Sequence, residues 1–214
     1  MSWLKFNPYA YDLAEAVGLV RRGLEAAERA MREDEERVAA EMAENDRKIA
    51  AGEVEGPTFD SDGDLLNDPN EVYHYDFMAI KSTQMEVRKS MMIALYHAWE
   101  RVVRKMTKLT TSKDNHGALA AALAAMDIPV SPEVENLRRL VNLVKHNSKE
   151  KMLKLWEVRP DLFYRGFEPE VHFPDDWSDT IELSSEQIAV FFDAVIASGP
   201  THEHPREAYG RADI

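Results

Sequence analysis

The chain has 214 residues, 44% of them apolar and 30% charged, with a net charge of −13. That length and balance suit one folded domain plus a sizeable extra element and exclude a wholly disordered chain. No run approaches the ~18 consecutive apolar residues of a membrane span, the first residues lack a secretory pattern, and the lack of cysteine excludes disulfides and thiolate zinc sites, so a cytoplasmic protein with no membrane role is expected.

In chain order, Leu13, Val17, Val20, Leu24, Ala27 and Met31 recur at helical spacing. They predict a long helix from about residue 9 to 51 whose first half packs and whose second half, REDEERVAAEMAENDRK, is solvated. Residues 1–52 are therefore read as an N-terminal helical extension. The stretch GEVEGPTFDSDGDLLNDPNE then breaks helix periodicity, and 53–71 are read as an acidic loop or linker. Asp60, Asp62, Asp64, Asp68 and Glu71 fall on positions 1, 3, 5, 9 and 12 of a calcium loop. Leu65 stands where such a loop needs glycine for its sharp turn, and Pro69 follows, so a solvated acidic loop is the better account. Neither a metal nor a cofactor is expected.

A second long helix is predicted from about Val72 to Lys108. Ile80, Val87, Met91, Leu95, Ala98, Val102 and Met106 form one face, widened by Met85, Met92, Tyr96, Trp99 and Val103, so this helix should be central. TTSKDNHG ends it, and a short helix is expected from about Ala118 to Met126. Ser131-Pro132-Glu133 reads as a helix start, with Ser as N-cap and acids near the positive end of the dipole. That helix should run through His146. YRGF and PEVHFPDDW are read as irregular, and SDTIEL as a short extended piece. Ser184-Ser185-Glu186-Gln187 offers a capping box for a last helix, IAVFFDAVIA. Residues 199–214 are read as a flexible tail, in which His202 and His204 form an isolated HxH. No repeat, P-loop or dinucleotide fingerprint is present. The fold class expected is all-α, with 72–198 forming an up-and-down helical bundle.

Net acidity argues against a nucleic-acid partner, because phosphate contacts reward basic surfaces. The charge is uneven, however. Arg88 to Lys113 carries about +6 and Arg138 to Lys154 about +5, within a chain whose remainder carries about −24. On a helical wheel, Val134, Leu137, Leu140, Val141 and Val144 gather on one side, with Glu135, Arg139, Asn142 and His146 opposite. The plain account of that polar row is a solvated face with a Glu135–Arg139 pair worth ~0.3–0.5 kcal/mol. The row also has definite chemistry. Arginine supplies a planar fork for phosphate oxygens, and an imidazole exchanges protons near neutrality. Arg139 and Lys145 favour the neutral, basic form of His146, and Asn142 can orient substrate or imidazole. Together these suit metal-free RNA cleavage, in which the 2′-hydroxyl attacks the adjacent phosphorus. Residues seven apart lie ~10.5 Å apart along a helix, too far to converge on one phosphate. Two copies in antiparallel contact resolve this, so a composite site in a homodimer is expected.

The run Arg139-Leu-Val-Asn-Leu-Val-Lys-His146 resembles the Arg-(four to six residues)-His motif of the HEPN superfamily (higher eukaryotes and prokaryotes nucleotide-binding). The preceding helix, ALYHAWERVVRKM, and the helical order over about Glu71 to Trp156 are similar too. The resemblance implies a small helical bundle that dimerises through its motif face, often a ribonuclease in toxin or antiphage systems. It also implies Arg139 and His146 as the catalytic pair. A polar residue commonly follows the arginine in that family; here it is Leu140, so either Asn142 takes that role or Arg138 is the working arginine. Glu100 is a candidate for holding Arg139, against simple pairing with Arg104. The partners expected are RNA and a second copy, with an antitoxin or other protein as a further one. Two other readings stay open: a non-catalytic nucleotide- or RNA-binding module of the same fold, and an interaction protein using the N-terminal helix.

Overall fold

The computed structural model describes residues 6–111 and 115–203. The fold is an all-α helical bundle. In chain order it comprises α1 (Pro8–Ala50), β1 (Thr58–Phe59), β2 (Leu65–Asn67), α2 (Glu71–Thr107), α3 (His116–Ala124), α4 (Pro132–His146), α5 (Lys149–Trp156) and α6 (Ser185–Ala197), with 3-10 turns at Pro160–Leu162 and Trp177–Thr180. His204, half of the HxH pair, lies outside the described residues.

The chain divides into two compact units, Met1–Gly23 with Arg88–Ile214, and Leu24–Val87. The division falls within the two long helices rather than at the acidic loop. Residues 8–23 of α1 belong with the bundle because Ala10, Leu13 and Val17 are buried in it.

In the first unit, α1 and α2 meet antiparallel, Asp12 pairing with Lys105 and Gly23 facing Met91. The buried face of α2 includes Met92, Leu95, Tyr96, Trp99, Val102, Val103 and Met106. The stripe of α4 is Val134, Leu137, Leu140 and Val141, with Leu143 buried as well. Leu143 lies off the wheel's apolar side; α4 packs against α5, α6 and the Trp177–Thr180 turn, so more than one side of it is covered. The expected caps are present. Ser131 Oγ accepts from the Glu133 N–H, and Ser184 and Gln187 form a capping box that opens α6.

Three local expectations are revised. The segment after α6 does not begin as a loose tail: Ser198, Gly199 and Pro200 are buried. The Ser198 carbonyl accepts the Trp99 indole N–H at 2.7 Å and its hydroxyl accepts the Ser131 N–H at 2.7 Å, while Gly199 sits so close to Leu13 that a Cβ would lie 2.0 Å from Leu13 Cδ2. SDTIEL forms a 3-10 turn followed by a single bridge, Phe163 to Ile181, rather than a strand. The helix α5 had no expected counterpart.

The second unit is a helical hairpin in which Asn45 of α1 donates to Asn70, just before α2, at 2.8 Å. Its loop contains the antiparallel pair β1–β2, with Phe59 opposite Leu65. Asp60 Oδ1 accepts the backbone N–H groups of Asp62 and Asp64, and Asp68 Oδ1 accepts that of Asn70. These carboxylates stabilise turns within the loop rather than converging on one point.

Candidate functional site

The site is built by a tight reversal. α4 ends at Asn147, whose left-handed backbone (φ 41°, ψ 55°) stops the helix. Ser148 follows at once as the N-cap of α5, its hydroxyl accepting the Lys151 N–H. Asn147 Oδ1 accepts the Trp177 N–H at 2.6 Å, which anchors the reversal. Asparagine suits this position because it tolerates positive φ better than most residues. The result brings α5 back along α4 and leaves a groove of about 420 Å³ lined by Glu135, Arg138, Arg139, Asn142, Lys151, Lys154 and Glu157.

Glu135 organises this groove. Its carboxylate accepts two hydrogen bonds of 2.7 Å from Arg138 and one of 3.2 Å from Arg139. A second Arg139 nitrogen donates to the Lys154 carbonyl at 3.0 Å, tying α4 to the end of α5. Burial works to raise the Glu135 carboxyl, but the hydrogen bonds and charge of Arg138, with Arg139 and His116, outweigh it and hold the group below the usual range. Each of the three side chains keeps about a third of its surface open, so the arginines remain reachable from solvent.

The candidate residues are only partly gathered. Arg138, Arg139, Asn142 and Glu135 share the groove. Lys145 and His146 are exposed on the last turn of α4 and do not line it. Among the described residues, His146 has no hydrogen-bond or ion-pair partner. Arg139 leans toward α5, so it and His146 do not converge within one chain, as the ~10.5 Å rise over seven residues requires. Glu100 does not hold Arg139. It accepts from Arg104 at 2.9 and 3.2 Å and pairs with His97 at 3.1 Å, the plainer of the two expected arrangements. Burial works to raise its pKa, and those two partners bring it below the usual range.

The basic stretch from Arg88 is largely engaged in holding the bundle. Arg88 donates to the Leu183 carbonyl, buried Lys89 to the Ser178 carbonyl, and Lys105 pairs with Asp12. Arg101, Lys105 and Lys108 nevertheless stay exposed there, so α4 and α5 share the accessible cationic surface with α2.

One member of the network had no sequence signal. His116, at the start of α3, places Nδ1 3.3 Å from the Tyr96 hydroxyl and Nε2 3.4 Å from the Glu135 carboxylate. Its ring lies against Trp99, with centroids 5.3 Å apart. Burial pushes the His116 pKa down, against the attraction of Glu135, and so favours the neutral imidazole. In sequence it belongs to TTSKDNHG, which reads only as a helix end.

Among the described residues, no three His, Asp or Glu side chains come together in a way that could hold a metal ion. No helix among them is long and apolar enough to cross a membrane. Comparison with protein-family models, curated proteins and solved structures finds no match. Fold and site together define an all-α bundle with a cationic groove between two consecutive helices.

Proposed function

We propose that this chain is a metal-independent endoribonuclease of the HEPN type, active as a homodimer and belonging to a toxin or antiphage system. The observation that carries the reading is the placement of the motif. Arg139 and Asn142 line a groove with Lys151 and Lys154, while His146 is exposed on the last turn of the same helix.

The chemistry divides among these groups. The arginine fork and Lys151 hold non-bridging phosphate oxygens. A neutral His146 takes the proton from the ribose 2′-hydroxyl as that oxygen attacks phosphorus, and a protonated imidazole from the second copy supplies one to the departing 5′-oxygen. The products are a 2′,3′-cyclic phosphate and a free 5′-hydroxyl. Antiparallel contact of two α4 helices sets Arg139 of one copy near His146 of the other, which one chain alone does not do.

The test is purified full-length protein with single-stranded RNA in EDTA. Cleavage to cyclic-phosphate ends, reduced ~100-fold or more in His146→Ala, is expected. No cleavage by the unmodified protein between about pH 5 and 9, or equal cleavage by His146→Ala, rejects catalysis. A second reading, RNA binding without turnover, draws on the hold that Glu135 and the Lys154 carbonyl have on Arg139. Intact RNA bound by the unmodified protein but not by Arg139→Ala selects it.

A further inference from the structure

The second unit carries almost the whole net charge of the protein. Leu24 to Val87 contains 18 Asp/Glu and 6 Lys/Arg, a net of −12 against −13 for the full chain. From Ile49 to Ile80 there are eight acids and no Lys or Arg. Acidity alone would describe a solvated arm. The same segment also exposes large apolar side chains: Phe59 (58%), Leu65 (53%) and Leu66 (68%) on the β1–β2 pair, and Val72 (57%), Tyr75 (60%) and Met78 (65%) on the first turns of α2.

These side chains are surplus to what the hairpin can bury. The start of α2 has two apolar stripes on opposite sides of its wheel. Tyr73, Phe77 and Ile80 are half-buried and form the stripe turned inward, with Tyr73 beside residues 40–48 of α1. Val72, Tyr75 and Met78 form the other and stay open. Two helices cover one stripe each, and in this unit only Leu24, Met31 and Val38 are buried. Leu65 and Phe59 lie opposite one another across the strands, so the hairpin adds an exposed apolar pair of its own just before α2. An exposed apolar surface of this kind, bordered by charge of a single sign, has the composition of a docking site.

We propose that the β1–β2 hairpin and the first turns of α2 dock a basic protein segment that also carries apolar side chains. Charge selects this occupant. Eight acids without a cation repel RNA and the anionic face of a membrane. They also oppose the same surface of a second copy, where like charges would meet. A segment alternating Lys or Arg with apolar residues satisfies both the acids and the open stripe. The strand edges of the hairpin and its acidic rim set the polar part of the contact, and Phe59, Leu66 and Met78 the apolar part. This docking surface does not depend on the nuclease reading, since it shares no residue with the α4–α5 groove.

The test uses the full chain and a fluorescein-labelled synthetic peptide alternating lysine and leucine, followed by anisotropy. Two variants alter exposed side chains that make no hydrogen bond among the described residues, and should leave the fold unchanged: Phe59→Ser with Leu66→Ser, and Asp62→Asn with Asp64→Asn and Asp76→Asn. Saturable binding that weakens at least about tenfold in each variant supports the proposal. Binding unchanged in either variant overturns it, as does equal binding of a lysine homopolymer, which would make the contact charge alone. Self-association, or binding to phosphatidylcholine vesicles, that is lost in Phe59→Ser/Leu66→Ser would assign the surface to a second copy or to lipid and overturn it too.

Discussion

Glu135 accepts two hydrogen bonds of 2.7 Å from Arg138 and a third, of 3.2 Å, from Arg139, so a single carboxylate positions both arginines of the motif helix. It aims them along the groove and at the same time cancels part of their charge. Glu135→Gln separates the two effects. The groove gains one positive charge, so single-stranded RNA should bind several-fold more tightly at low salt with a steeper salt dependence. Cleavage should fall, because the guanidinium groups lose their anchor. Stability should drop by less than about 1 kcal/mol, since these pairs are about a third exposed and screened. Anisotropy at two salt concentrations, read beside a denaturant midpoint, checks all three.

Acid should weaken the fold in two separate windows. The native pKa of His116 is lowered from 6.5 by burial, so below that value the unfolded chain takes a proton that the native state refuses. Its contribution is whole above pH 6.5 and declines as pH falls below it. Glu135 and Glu100 are held below 4.5 in the native state, so theirs is present above 4.5 and is lost as pH falls through the native values. His116→Gln cannot titrate. Melting temperatures of the variant should flatten just below pH 6.5 and still fall below 4.5. A slope identical to that of the unmodified protein in the upper window counts against this account.

Gly199→Ala should destabilise the bundle by ~1–3 kcal/mol, the cost of overpacking a site that cannot easily relax. The new methyl would stand 2.0 Å from Leu13 Cδ2, and the neighbouring Ser198 is held by Trp99 and Ser131, so neither side moves freely. Urea denaturation is the measurement. A change under a few tenths of a kcal/mol would mean that this segment is not packed against α1.

Asn147 allows a sharper comparison. Asn147→Val places a β-branched residue at φ 41° and removes the acceptor of the Trp177 N–H, and should cost ~2–4 kcal/mol. Asn147→Gly keeps the backbone geometry and loses the hydrogen bond, so it should cost ~1 kcal/mol. Equal losses would show that the left-handed conformation is not what joins α4 to α5.

What the amino-acid order determined by itself was local. The stripes of α1, α2 and α4 follow from apolar residues three and four apart, and the caps at Ser131 and Ser184–Gln187 from side chains reaching N–H groups two or three residues on. The row Glu135–Arg139–Asn142–His146 was legible for the same reason. Even α5 had a signal, the Asn147-Ser148 pair that ends one helix and caps the next. The tertiary structure alone decided which polar groups meet. His116 reaches Glu135 and Tyr96 from another helix, Trp99 finds the Ser198 carbonyl 99 residues away, and Glu100 turns to Arg104 rather than to Arg139. Such contacts leave no periodic trace, because they depend on how whole helices pack and not on spacing along any one of them. The open apolar stripe of Val72, Tyr75 and Met78 belongs with them: the sequence shows that these side chains are apolar, and only the packed hairpin shows that nothing in its own unit covers them.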